Sequence, residues 1–362
     1  MNRIQEILPE RLAELYRGYG YMPYTMSKFE EYELYLRNKD FLISDRVLTF
    51  TDTNGKLMAL KPDVTLSIIK NTRPSDSPIQ KLYYQETVYR PGKSEQGFRE
   101  IMQIGLECMG NVDDFCVLEV LMLAVKSLHA ISEQCVLDIS HMGLLTEMLD
   151  RSGLEGYPRT RALEAIAGKN AHELRSVCEE QGIDASDLMT LTDLYGTPED
   201  TLPVLRKLFP ESSTLASLER ILNALQKAGC GDCVHLDFSV VNNRKYYNGI
   251  LFRGFVEGVP EGVLSGGEYD GLMERMHRKE KAIGFALYPD LLERLEPSKA
   301  TPKPDCTLLY PQNAPLDVVT EAVATLTAKQ LRVSAQPMIG KIPGGVVYVL
   351  EGNEVKLLEN NA

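Results

Sequence analysis

Apolar and polar positions along this chain repeat with two periods, about 3.6 and about 2 residues, and the changes of period outline its elements. Leu12, Leu15, Tyr16 and Tyr19 share one face of a helix with Pro9 in its first turn, ending near Gly18 and Gly20. Residues 41–51 and 56–60 flank Asp52, Thr53, Asn54 and Gly55, and the Asn-Gly pair marks a hairpin. Two long strand patterns follow at 81–90 and 99–109, joined by a loop over 91–98. Asp113 and Asp114 then offer N-cap carboxylates to a helix running to about Ile131. From about 140 to 229 the spacing is mostly helical, through Leu144, Leu145 and Met148 and segments around 161–167, 202–208 and 215–225. Strand patterns resume at 234–241, 246–256 and 262–264, before a helix from Gly271 and an apolar stretch at 282–287. Residues 297–304, with three prolines, read as a linker. A strand at 306–310, a helix at 316–330 and strands at 346–350 and 354–357 then suggest a small α/β unit.

The strand pattern at 99–109 divides into two faces, because successive strand side chains point to opposite sides. Met102, Ile104, Leu106 and Cys108 form an apolar face suited to packing on helices. Arg99, Gln103, Gly105 and Glu107 form a polar face, with room opened at the glycine. Glu86 and Arg90 share one parity on the preceding strand, so antiparallel pairing brings an arginine beside that face, and Tyr246 and Tyr247 begin another strand. Parity alone accommodates two readings. One is a solvated sheet face carrying charges, which is usual for antiparallel sheets. The other is an amino-acid pocket, in which carboxylate and amide bond an ammonium or imidazole while Arg90 neutralises a carboxylate.

Charge and cysteine usage narrow the partners. Lys plus Arg total 39 against 51 Asp plus Glu, and the net −12 repels a polyanion over much of the surface. Arg3, Glu6, Glu10, Arg11, Glu14 and Arg17 interrupt any apolar run near the start, so no signal peptide is expected. The most apolar segment, 115–131, is broken by Glu119 and Lys126 and reads as a buried helix, not a membrane span. Seven scattered cysteines suggest reduced thiols and a cytoplasmic protein. Cys230 and Cys233 form a lone CxxC without a second ligand pair in sequence, and this reads as a turn entering a strand. His129, His141, His172, His235 and His277 show no metal spacing, so no metal is expected. The basic run 275–281, accompanied by Glu274 and Glu280, reads as a solvated helix end.

At these residues the sequence resembles class II aminoacyl-tRNA synthetases, and specifically the histidyl-tRNA synthetase catalytic domain. Leu60-Lys-Pro-Asp-Val-Thr65 is similar to that family's Leu-Arg-Pro-Glu-Gly-Thr segment. Tyr89-Arg90, the loop, and Arg99 through Glu107 resemble motif 2. Tyr246-Tyr247 and Ser265-Gly-Gly-Glu-Tyr-Asp-Gly-Leu272 resemble the two histidine-specific motifs, and Gly284-Phe-Ala286 the opening of motif 3. The matches keep family order across about residues 4–295. The resemblance implies an α+β fold: a class II synthetase-like antiparallel sheet flanked by helices over 1–296, with a mostly helical insertion at about 142–230. A small α/β domain over 305–362 is similar to a shortened anticodon-binding domain. It further implies a histidine site. Asp63, Val64 and Thr65 fall where the family contacts the amino group, with Asp63 replacing glutamate. Arg90 falls on the motif 2 arginine that touches the carboxylate and an ATP phosphate. Gln103 and Glu107 fall on the residues reading the bound histidine. Tyr247, with Tyr246 beside it, falls on an imidazole contact.

The adenylation set departs from the family. Asn242-Asn-Arg-Lys-Tyr-Tyr247 stands where the family has Arg-Gly-Leu-Asp-Tyr-Tyr, which places Asn242 on the catalytic arginine, with Arg244 two residues on. Leu291 replaces the ATP-gripping arginine of motif 3, Ile101 the aromatic that stacks on adenine, and Pro91-Gly92 the segment carrying a glutamate. Chemistry on ATP depends on fixed positive charge where negative charge develops. The resemblance therefore implies histidine recognition without activation, no catalytic residue and no cofactor. A domain of that kind is similar to the regulatory subunits of ATP phosphoribosyltransferase in histidine biosynthesis. The implied partners are a short-form catalytic subunit, free histidine as an allosteric ligand, and a second copy of the chain. The second copy pairs through 24–30, where Ser27 stands in place of the motif 1 proline. Neither tRNA nor a membrane is implied. A divergent histidyl-tRNA synthetase is the alternative, and a synthetase-like sensor module a third reading that no kinase or nucleic-acid motif accompanies.

Overall fold

The computed structural model describes residues 3–42, 46–72, 77–92, 97–241, 247–295, 304–339 and 346–358. Helix α1 (Arg3–Gly18) buries Leu8, Leu12 and Tyr16, spaced four apart on one face. Pro9 lies inside this helix, not in its first turn as the sequence suggested. The ring forfeits one backbone bond, and burial of the flanking apolar stripe offsets that loss. After β1 (Met22–Pro23), β2 (Phe29–Glu31) and α2 (Tyr32–Arg37), the expected hairpin forms from β3 (Thr49–Thr51) and β4 (Leu57–Leu60). Asp52 Oδ1 accepts from the N–H groups of Asn54 and Lys56 at 2.8 Å each, and Gly55 supplies φ +79°. The first arm is shorter than the 41–51 expected, because Lys39–Phe41 closes as a 3-10 turn that buries Phe41 and Leu42.

Helix α3 (Val64–Asn71) precedes the long pair β5 (Ile79–Pro91) and β6 (Phe98–Gly110), which run antiparallel in register along their whole length. Helix α4 (Asp114–His129) is capped by Asp113, whose Oδ1 accepts from the Cys116 N–H at 3.0 Å. Strand β7 (Cys135–His141) opens onto the helical segment: α5 (Met142–Ser152), α6 (Gly156–Ala167), α7 (Ala171–Glu180), α8 (Ser186–Asp193), the two-residue β8 (Tyr195–Gly196), α9 (Pro198–Leu208) and α10 (Ser213–Lys227). The chain returns through β9 (Val234–Asp237), β10 (Ile250–Val256), β11 (Leu264–Glu268), α11 (Asp270–Arg275) and β12 (Lys281–Leu287). Strand β11 lies later than the expected 262–264 because Gly266 and Gly267 belong to it. Without a Cβ, Gly266 lets the Gly284 carbonyl, the Phe285 Cβ and the Phe252 ring approach the strand closely.

Among the described residues the large sheet has nine strands in the order β1-β5-β6-β12-β11-β10-β7-β9-β8, antiparallel from β5 through β7. One face buries Ile104, Leu106 and Cys108 with α1, α4 and the helical segment. The other buries Leu82, Tyr84, Val88 and Met109 with α3 and α11. The even face of β6 is thus helix-packed as alternation indicates, and the odd face is covered by helices as well. No described helix is long and apolar enough to cross a membrane.

The chain divides into the units Met1–Pro297 and Ser298–Ala362. The second carries β13 (Cys306–Tyr310), α12 (Leu316–Thr327), β14 (Val333–Pro337), β15 (Val347–Glu351) and β16 (Glu354–Leu358). Its sheet order is β14-β13-β15-β16, around a core of Cys306, Leu308, Ala322, Leu326 and Leu350. Strand β14 adds to the expected elements; it is an edge strand, where its terminal Pro337 is tolerated.

Candidate functional site

The odd face of β6 is exposed at Arg99 but buried from Gln103 through Glu107. Gln103 is 3% and Glu107 2% exposed, because the N-terminal end of α3 and the segment around Tyr269 close over them. Thr65 Oγ1 donates to Glu107 Oε1 at 2.9 Å, and Tyr269 OH donates to Glu107 Oε2 at 2.7 Å. Gly284 stands opposite Glu107 in the β6–β12 register, and a Cβ there would lie 1.9 Å from Oε2. At Gly105 a Cβ would meet the Phe285 carbonyl at 2.3 Å and the Tyr84 hydroxyl at 2.5 Å. The two glycines are therefore fixed by the close approach of a carboxylate and a phenol.

These groups border a cavity of about 330 Å³. Asp63 caps α3, its Oδ1 accepting from the Leu66 N–H at 2.9 Å, and its position at the cavity wall follows from the helix start. Arg90, near the end of β5, is anchored by its Nε donating to the Pro62 carbonyl at 2.9 Å. Burial pushes the Glu107 carboxyl up to about 8, against the bonds from Tyr269 and Thr65 that favour its charge. Burial also raises Asp63, which Arg90 and the α3 N–H groups partly counter. Tyr84 and Tyr247 are pushed well up by burial and stay phenols at neutral pH. The cavity thus sets two acidic side chains and a guanidinium among phenol donors.

Asp63, Val64, Thr65, Arg90, Gln103, Glu107 and Tyr247 all line this cavity. Tyr246 lies outside the described residues, as do Asn242 and Arg244. Glu86 shares parity with Arg90 but is turned to other work: Lys61 Nζ donates to its Oε2 at 2.5 Å and the Met26 N–H to its Oε1 at 3.1 Å. Ile101 packs into the second core and Leu291 against the first, and neither lines the cavity. Tyr84, Tyr269, Ser265 and Tyr288 also line it and were not singled out from sequence. Tyr84 stands opposite Gly105 in register, so pairing the two strands at that position would have found it. Tyr269 falls inside the 265–272 motif but had no assigned role. Ser265 opens the same motif, and its Oγ lies 3.0 Å from the hydroxyl of Tyr288, which carries no local sequence signal.

An antiparallel sheet backed by helices, with a ligand-sized cavity over strands holding one glycine opposite a carboxyl and another opposite a phenol, is the class II aminoacyl-tRNA synthetase-like fold. The crystal structure of an ATP phosphoribosyltransferase regulatory subunit/histidyl-tRNA synthetase from Bacillus halodurans C has this fold. It matches with a TM-score of 0.80 at 22% identity, covering 94% of this chain and 90% of that one. The family model described as Histidyl-tRNA synthetase matches residues 2–292. An ATP phosphoribosyltransferase regulatory subunit of Thermus thermophilus is 31% identical over 316 residues, 85% of this chain and 83% of that protein. Another, of Oceanobacillus iheyensis, is 25% identical over 367 residues, 96% of this chain and 89% of that protein. The chain belongs to the ATP phosphoribosyltransferase regulatory subunit family, within the wider family that the histidyl-tRNA synthetase model describes.

Proposed function

We propose that this chain is a non-catalytic, cytoplasmic regulatory subunit that binds free histidine in the cavity and assembles with the short-form catalytic subunit of ATP phosphoribosyltransferase, which it activates. In this reading Asp63 receives the α-ammonium and Arg90 the carboxylate. Glu107, Gln103 and Tyr247 hold the imidazole, Val64 and Thr65 close the amino-group side, and Tyr246 stands next to Tyr247. The observation that carries it is Glu107: a carboxyl 2% exposed, held from both sides by Thr65 and Tyr269 and facing the cavity. That arrangement suits a ligand presenting a ring N–H and has little value as packing alone. Leu291 and Ile101, half-buried against the two cores and apolar, support a pocket that does not grip ATP.

Residues 1–296 act as the sensing domain, with the insertion at about 142–230, and 305–362 as a separate small domain. Two copies pair through 24–30, where β2 leaves Phe29 46% exposed. Histidine regulates by binding one assembly state better than the other, since a ligand shifts an equilibrium only by its differential affinity. A coupling of about 1–3 kcal/mol gives about 5–150-fold in affinity. The test is ATP phosphoribosyltransferase activity of a short-form catalytic subunit with and without this chain, with histidine titrated, alongside histidine-dependent ATP–pyrophosphate exchange. Activation, histidine inhibition and no exchange are expected; exchange by the unmodified chain would instead identify a histidyl-tRNA synthetase.

A further inference from the structure

Three soft ligand atoms converge outside the cavity, brought together from segments that carry no metal signature in sequence. His129 is the last residue of α4, Cys135 the first of β7, and Cys233 directly precedes β9. Their Nδ1 or Nε2 and Sγ atoms lie within 4.8 Å of one another, with Cys135 Sγ 3.7 Å from His129 Nδ1. None of the three lines the cavity.

The backbone holds this convergence in place. Strands β7 and β9 run parallel, and the Leu137 N–H donates to the Cys233 carbonyl at 2.8 Å, which fixes Cys233 beside the start of β7. A turn, closed by the Val234 N–H on the Gly231 carbonyl at 3.0 Å, presents Cys233 and leaves Cys230 out of the cluster. Between His129 and Cys135 the chain is tied by Ile131 and Ser132 N–H groups donating to the Leu128 carbonyl at 2.9 and 3.0 Å. The ligands are therefore carried by a helix end and two paired strands.

We propose that His129, Cys135 and Cys233 form a three-ligand site for Zn²⁺. In a tetrahedral zinc site with Zn–S near 2.3 Å and Zn–N near 2.0–2.1 Å, sulfur and nitrogen stand about 3.6 Å apart and two sulfurs about 3.8 Å apart. The observed 3.7 Å between Cys135 and His129 fits that edge without rearrangement. Two thiolates and one imidazole select a soft or borderline cation over Mg²⁺ or Ca²⁺, which require oxygen ligands. The two thiolates neutralise the ion, so the half-buried site gains no net charge on loading. His129 is exposed, so solvent can reach the cluster and supply a fourth ligand. Because β7 leads into the helical segment and β9 leads out of it, the ion fastens that segment at its root.

The test uses the full-length untagged chain, purified under reductant and stripped with chelator, titrated with Co²⁺ and then with Zn²⁺ against a chromophoric chelator. One ion per chain is expected, with thiolate-to-cobalt charge transfer and the visible absorption of tetrahedral cobalt. Cys135→Ser and Cys233→Ser should abolish the charge-transfer band, and Cys230→Ser should leave it unchanged. His129→Ala, at an exposed helix end, should weaken zinc binding by at least about tenfold, the lower bound for loss of a contact that merely supports a ligand. Circular dichroism of each variant separates loss of the ligand from loss of the fold. No stoichiometric binding, parental affinity in the His129→Ala variant, or a Cys135–Cys233 disulfide in reduced preparations would overturn the proposal.

Discussion

Tyr269 donates a 2.7 Å hydrogen bond to Glu107 across 162 residues of sequence, and this bond ties α11 to the middle of the sheet at the cavity wall. It fixes one Glu107 oxygen while Thr65 fixes the other, so the carboxyl cannot rotate away from the cavity. Its position is therefore part of what the cavity offers a ligand.

Glu107→Gln keeps the shape and removes the carboxyl that, in this reading, becomes charged by sharing its proton with the bound imidazole. Losing one charged hydrogen bond should cost about 1.5–3 kcal/mol, or about 10–150-fold in histidine affinity. Equilibrium dialysis with labelled histidine on both proteins measures this, and inhibition of the assembled enzyme should shift by a similar factor. Equal affinity of the two proteins would remove Glu107 from the site.

The proton count predicts the pH dependence of binding. Glu107 of the empty cavity keeps its proton up to about 8, whereas free imidazole gains one only below about 6.5. Between these values the two together bring one proton, and a hydrogen-bonded pair needs one. Histidine affinity should be flat there, fall above it where a proton must be taken up, and fall below it where one must be released. Each limb should approach about tenfold per pH unit. Glu107→Gln should lose the limb that begins near 8, which dialysis across about pH 5 to 9 would reveal.

The same shift acts on the empty protein with a definite sign. A carboxyl whose folded-state value is raised from 4.5 to about 8 binds more protons folded than unfolded between those values. Its contribution to stability is intact below 4.5 and is lost as pH rises through about 8. Chemical denaturation of the parent should show this decline and Glu107→Gln should flatten it; identical slopes would contradict the burial argument.

Much of this site was legible from strand parity. Alternation along 99–109 separates Gln103, Gly105 and Glu107 from the apolar face, and the register with β5 delivers Arg90 to the same region. What parity cannot reveal is cover: a face of this composition packs against water or against α3, and only the tertiary fold decides. Tyr269 and Tyr288 reach the cavity through long-range closure, which leaves no periodic trace. Pro9 reads as a helix start because ring stiffness is a local signal, whereas the burial of Leu8 just before it, which carries the helix through, is tertiary. The His129, Cys135 and Cys233 cluster escaped because spacing rules find ligands on one segment, and these come from three.

Gly284→Ala places a methyl 1.9 Å from Glu107 Oε2, which can swing aside, and 2.4 Å from the backbone carbonyl of Leu106, which cannot, so β6 and β12 must also shift. Overpacking of this kind costs about 1–3 kcal/mol of stability. Displacing the carboxylate should also eliminate measurable histidine binding while circular dichroism still reports a folded chain. Parental binding by this variant would show that Glu107 does not set the ligand.

His141 supplies an independent acid response. Its Nδ1 caps α5 by accepting from the Gly143 N–H at 3.0 Å, and burial lowers it from 6.5 to about 4. The stability it lends is present above 6.5 and is lost as pH falls toward about 4. His141→Asn keeps a capping acceptor that does not titrate in this range, so thermal unfolding between these pH values should lose part of its acid sensitivity. An unchanged profile would assign the acid response elsewhere.

The central claim is that this chain is a histidine receptor in its own right, and calorimetric titration of free histidine into the purified chain, without ATP or tRNA, tests it most directly. The account predicts saturable binding of one histidine per chain that ATP does not alter. Absence of binding, or binding that appears only when ATP is present, would contradict it.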